Sequence, residues 1–194
     1  MKRSPNPSGQ GYSLPGDLAI DEEMGRIFGY LVADAWVGGK TGYMSITSDS
    51  QILDDMQDIL RRKIGYEGAR ATRPGITIDN FELDLSHGEF RRVLEEAGLE
   101  RVKAANKKIP SSLLASPKNV LREFLKAYID CEGTFSSDRA RISVSSASEQ
   151  LLREVQVLLL SFGIVSSRHT TWNKVYEREY WRLNINSVEN IIRF

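Results

Sequence analysis

The chain has 194 residues, 41% of them hydrophobic, which supplies enough apolar side chain for a core and excludes a disordered chain. Its single cysteine, Cys131, excludes an internal disulfide, and no apolar run approaches the ~18 residues of a membrane-spanning helix. With 26 basic against 26 acidic side chains it is not a uniformly basic nucleic-acid binder, so a footprint for phosphates has to come from how the charge is distributed.

Residues 1–17, rich in Ser, Pro and Gly, read as a flexible lead-in without a targeting pattern, and a soluble cytoplasmic protein with no membrane partner is expected. Asp21 is placed to cap an apolar helix that closes on Asp34, with Glu22 and Glu23 near the positive end of its dipole. An extended run, a turn at Gly38-Gly39-Lys40 and a strand over Gly42 to Thr47 form a hairpin. Ser50 is expected to cap the next helix, whose apolar positions Ile52, Leu53, Met56, Ile59 and Leu60 keep helical spacing up to Gly65. Alternation in Ala69 to Arg73 and in Ile76 to Leu85 predicts a second hairpin about Arg73-Pro74-Gly75, before a short helix ending at Gly98.

Residues 99–115 form a basic linker carrying Arg101, Lys103, Lys107 and Lys108, and Ser116-Pro117 is expected to open the next helix, with Ser116 as its cap and proline in its first turn. That helix runs through Leu125-Lys126-Ala127-Tyr128-Ile129-Asp130-Cys131-Glu132-Gly133. Strands over Thr134 to Ser137 and Ala140 to Ser145, a helix over Glu149 to Phe162, strands over Ser166 to Trp172 and Tyr180 to Ile185, and an abbreviated final helix follow. The second half repeats the first. At an offset of 98 residues Ser45 falls on Ser143, Ser48 on Ser146, Ser50 on Ser148, Leu53 on Leu151, Gly65 on Gly163 and Arg70 on Arg168. Two copies are too few for a solenoid, so residues 18–98 and 116–194 are expected to be pseudo-symmetric αββαββα subdomains of an α+β fold.

The joint between them is legible from spacing. Gly29 with Ala33, and Ala127 with Cys131, lie one helical turn apart, so the two helices present smooth strips and pack closely. Close packing brings Asp34 and Glu132 to the same end. Two carboxylates about 4 Å apart repel by roughly 4 kcal/mol at an effective dielectric near 20, which calls for a shared proton or for cations between them.

These residues resemble a known family. Leu125 to Gly133 is similar to the LAGLIDADG (dodecapeptide) motif of homing endonucleases, Ile27 to Ala35 to its partner, and Lys107-Lys108-Ile109-Pro110 to the Lys-x-Ile-Pro block of intein-type members. Ile142 to Ser148 followed by Leu151 to Ile164 matches the block after their second motif. The resemblance implies antiparallel sheets forming a DNA-binding saddle, a monomer, and double-strand cutting of a long duplex target by metal-dependent phosphodiester hydrolysis. It implies Mg²⁺, two or three divalent ions with Mn²⁺ able to substitute, held by Asp34, Glu132 and the main-chain carbonyls of Ala33 and Cys131. Lys107 is the candidate for stabilising charge at the scissile phosphate, with Lys108 as fallback, and Ser48 and Ser146 are candidates for a water network.

For DNA contacts the strand-borne cations Arg70, Arg73, Arg139, Arg141, Arg168, Lys174, Arg178 and Arg182 are expected to give a basic sheet face backed by acidic helices. Ala35 stands where the family has glycine, which predicts strain at the exit of the first helix if that exit is left-handed. No Cys or Ser opens the chain and no His-Asn pair closes it, so an intein-derived chain is expected not to splice as written. The alternative implied by the family is a degenerate nucleic-acid-binding relative, a maturase or regulator.

Overall fold

A computed structural model describes residues 18–37, 44–66, 68–71, 80–85 and 88–193. The turns expected at Gly38 to Lys40 and Arg73 to Gly75, and Arg73 itself, lie outside them. In chain order the elements are α1 (Glu22–Asp34), β1 (Ala35–Val37), β2 (Met44–Asp49), α2 (Ser50–Ile64), β3 (Ala69–Ala71), β4 (Asn80–Asp84) and α3 (Gly88–Glu96). A one-turn helix α4 (Ser111–Leu114) precedes α5 (Lys118–Glu132), β5 (Gly133–Ser136), β6 (Arg141–Ser146), α6 (Glu149–Ser161), β7 (Ser166–Asn173), β8 (Arg178–Asn186) and α7 (Val188–Arg193).

The duplication survives in the topology. Both sheets are antiparallel and four-stranded, ordered β1-β2-β4-β3 and β5-β6-β8-β7. Their registers correspond, since Arg70 faces Leu83 in one sheet and Arg168 faces Leu183 in the other. The buried sheet faces (Met44, Ile46, Leu83; Val144, Leu183, Ile185) meet the apolar stripes of α2 and α6, and α1 and α5 fill the middle of one continuous core.

Three local expectations are corrected. Asp49, not Ser50, caps α2 by accepting from the Ile52 N–H, while Ser148 caps α6 by accepting from Leu151. Caps and buried stripes therefore align 99 residues apart (49 with 148, Leu53 with Leu152, Leu60 with Leu159), because one extra residue, Ala147, lengthens the turn after β6. At α5 the cap position falls on Pro117 without a side-chain bond, and the Ser116 hydroxyl turns back to the Ser112 carbonyl. The linker is also more structured than its composition predicts, with a 3-10 turn at Ala104–Asn106 and α4 against α5.

Close approach of α1 and α5 is the central packing fact. A Cβ added at Gly29 would stand 2.6 Å from the Ala127 Cβ and 2.6 Å from the Phe124 carbonyl oxygen. At Gly25, one turn earlier, it would stand 2.6 Å from the Val120 carbonyl oxygen. The strip thus runs Gly25-Gly29-Ala33, a full turn longer than the sequence reading gave it. The exits are equally plain: Ala35 (φ −68°) and Gly133 (φ −82°) both leave in extended conformation, so Ala35 carries no left-handed strain. Glycine at 133 answers to space instead, because a Cβ there would run into the Ile129 carbonyl.

Candidate functional site

The last turns of α1 and α5 deliver Asp34 and Glu132 to one end of the joint. Burial pushes both carboxyls up. Asp34 is drawn partly back by the Lys107 ammonium and by a hydrogen bond from the Cys131 thiol; that thiol is held protonated by burial and by Asp34. Glu132 feels the Asp34 charge on top of its burial, with Lys107 opposing, and is pushed up to about 7. A pair of acids under one lysine is under-neutralised, and its carboxylate and carbonyl oxygens form a hard donor set that fits Mg²⁺, Mn²⁺ or Ca²⁺. No cluster of three or more acidic, His or Cys side chains supplies a larger cage among the described residues.

This arrangement sets a pH dependence. Glu132 holds its proton more tightly folded (about 7) than at its ordinary value of 4.5. Its contribution to folding is therefore fully present below pH 4.5 and is lost as pH rises through 7, by roughly 3 kcal/mol. Urea midpoints in EDTA are expected to fall between those limits, and midpoints that rise from pH 5 to 7.5 would reject the half-buried pair.

Lys107 reaches the end of α1. Its ammonium donates to the carbonyls of Val32 (2.9 Å) and Ala33 (2.7 Å), the latter one of the oxygens assigned to metal by resemblance. Lys108 is not an alternative, because it points to solvent and pairs with Glu100 at 2.7 Å. Beside Lys107 a cavity of about 250 Å³ is lined by Ala33, Glu132, Ser145, Ser146 and Tyr180. Ser146 thus borders the acids, while Ser48, its repeat partner, is buried on β2. Sequence reading missed Tyr180, which has no counterpart motif. It also missed Tyr128, whose buried hydroxyl finds no partner among the described residues although that of its repeat equivalent, Tyr30, donates to Asp55 at 2.8 Å.

The outer face of the second sheet is a polar lattice. Arg141 donates to Asn186 (2.9 Å), Ser143 to Asn184 (2.8 Å) and Arg182 to Ser145 (3.3 Å). Arg178 lies over the rings of Tyr176 and Tyr180, 5.6 and 5.1 Å from their centroids. Lys174 and Arg139 are exposed in turns, the latter beside Asp138.

Two of the expected cations are elsewhere. Arg168 shares its side of the sheet with the buried Leu183 it faces, bonds Glu149 of α6 at 2.9 Å and lies over Trp181. Arg70 does likewise in the first sheet, against Asp54 of α2 at 2.6 Å. On β4 the described positions off the core-facing side are the buried Glu82 and the half-buried Asp84, neither a cation, so the basic face belongs to the second sheet among the described residues.

Comparison with known proteins agrees with the fold. Residues 119–194 match the LAGLIDADG-like domain family. The fold matches I-DmoI in complex with DNA and Ca (TM-score 0.63, 18% identity, 90% of this chain and 87% of that one). It also matches the N-terminal LAGLIDADG domain of DUF199/WhiA (TM-score 0.61, 12% identity, 90% of this chain and 79% of that one). A probable translation initiation factor IF-2 of Thermococcus kodakarensis is 36% identical over 120 residues, 59% of this chain. The chain spans about a tenth of the length of the curated relatives it matches. With paired motif helices and twin sheets of the same strand order, the chain has the fold of these structures, and its second half, residues 119–194, belongs to the LAGLIDADG-like domain family.

Proposed function

We propose that this chain is a monomeric, site-specific DNA endonuclease that makes double-strand breaks by metal-dependent phosphodiester hydrolysis. The observation that carries the reading is the pair of half-buried acids, Asp34 and Glu132, at adjoining helix ends beside the Lys107 ammonium. Divalent ions held by these acids and the main-chain carbonyls of Ala33 and Cys131 would supply an activated water and stabilise the leaving 3′-oxygen. The chain's own part is positional. Lys107 fixes a positive charge close to where a phosphate would sit, and Ser146 and Tyr180 line the adjoining cavity. The lattice of Arg141, Arg182, Asn184 and Asn186 offers donors and acceptors to base edges in a major groove, with Arg178 and Lys174 toward flanking phosphates. DNA complexes of I-DmoI, a homing endonuclease, support this use of the fold.

An intein-derived origin fits a chain that covers a tenth of a relative named for a different activity. A second reading, binding without cutting, is favoured by the likeness to WhiA. A library of duplex sites incubated with the chain in Mg²⁺, and in parallel in Ca²⁺, separates the two readings. Discrete double-strand breaks in Mg²⁺ are expected, and sequence-specific retention with no breaks in Mg²⁺ or Mn²⁺ would replace the endonuclease by the binder.

A further inference from the structure

Lys107 lies outside both copies of the repeat, yet it is the most firmly placed side chain of the site. Its carbonyl accepts from the Ser148 hydroxyl at 2.6 Å, and Ser148 is fully buried as the cap of α6. Two residues on, the N–H of the buried Ile109 donates to Glu154 at 2.7 Å, a carboxylate that Gln150 also holds. The second half thus clamps the main chain on both sides of Lys107 and aims its ammonium at the first half. What the ammonium meets there is the end of α1, where the carbonyls of Val32 and Ala33 have no intrahelical donor and the helix dipole is negative.

The equivalent end of α5, at Asp130 and Cys131, receives no lysine among the described residues. The clamp is equally one-sided: the residue equivalent to Ser148 is the charged cap Asp49, whose charge raises the Asp34 carboxyl.

We propose that Lys107 is a tethered cation that takes the Ala33 carbonyl in place of a divalent ion, so that only the α5 side of the acid pair is served by metal. This rests on the reading of Asp34 and Glu132 as metal-holding acids. It departs from that reading in removing Ala33 from the ligand set and in making the two helix ends chemically unequal. A divalent ion beside the Ala33 oxygen would face the ammonium at close range, and the like charges exclude one another.

The full chain is tested free of DNA, by thermal unfolding with and without Mn²⁺ and by counting bound Mn²⁺ with electron paramagnetic resonance. Lys107→Met is expected to melt lower than wild type in EDTA, to recover the loss in Mn²⁺, and to take up an additional ion per chain. Lys107→Arg keeps the charge and is expected to respond to Mn²⁺ as the wild type does. The tethered cation is overturned if Lys107→Met gains neither stability nor an ion in Mn²⁺, if it stays unfolded with the ion present, or if Lys107→Arg behaves like it. DNA cutting is no part of the readout. A Met variant rescued by Mn²⁺, in a chain that cuts no duplex, leaves the tethered cation standing and removes the nuclease reading alone.

Discussion

Asp34→Asn and Glu132→Gln are each expected to lower double-strand cutting by about 10³-fold or more, the scale on which loss of a charge-stabilising group acts in a transition state. Both side chains stay nearly isosteric, so the joint keeps its shape while the donor set loses a charge. The same substitutions should stabilise the metal-free chain. Glu132 is raised to about 7 by burial and by the Asp34 charge, so at pH 8 its ionisation opposes folding, and removing it returns roughly 3 kcal/mol. Activity and stability then move in opposite directions. Cutting lost together with a lower urea midpoint would show that the acids hold the fold rather than the chemistry.

Gly29→Val should produce the largest loss of stability of any single change at the joint, about 3 kcal/mol, the upper end of the range for overpacking. The added Cβ would meet both the Ala127 Cβ and the Phe124 main-chain oxygen at 2.6 Å, and main chain cannot turn aside as a flexible side chain can. The helices must move apart, which takes Asp34 from Glu132 and should reduce cutting as well. On a chain of this size the melting temperature is expected to fall by roughly 6–12 °C. Gly29→Ala combined with Ala127→Gly should recover part of the Gly29→Ala loss, since it removes one of the two obstacles and leaves the Phe124 oxygen. A Val variant with unchanged midpoint and cutting would mean the helices are not in main-chain contact.

The joint was legible because helical spacing and small residues leave a signature that needs no third dimension. Gly25 could have been read by carrying that spacing one more turn back. The face of each strand cation was also available in principle, since Arg168 and Arg70 alternate in step with residues paired to buried leucines. Charge alone grouped them with Arg141 and Arg182, which alternate out of step. Ser50 was preferred as a cap because the offset was carried unchanged across a turn that holds an extra residue, Ala147. What no local pattern could supply is the clamp on Lys107, built from Ser148 and Glu154 some forty residues away, because long-range hydrogen bonds to main chain leave no periodicity behind.

That clamp also says where the molecule comes apart. By topology the segment from 99 to 116 joins two halves, but by its hydrogen bonds Lys107 travels with the carboxy-terminal one, lent to its neighbour across the seam. A chimera that grafts either half onto a relative, or a pair of fragments meant to reassemble, therefore has its natural cut ahead of residue 104. A cut after residue 110 would leave Lys107 on the amino-terminal half, parted from the Ser148 and Glu154 that hold its main chain.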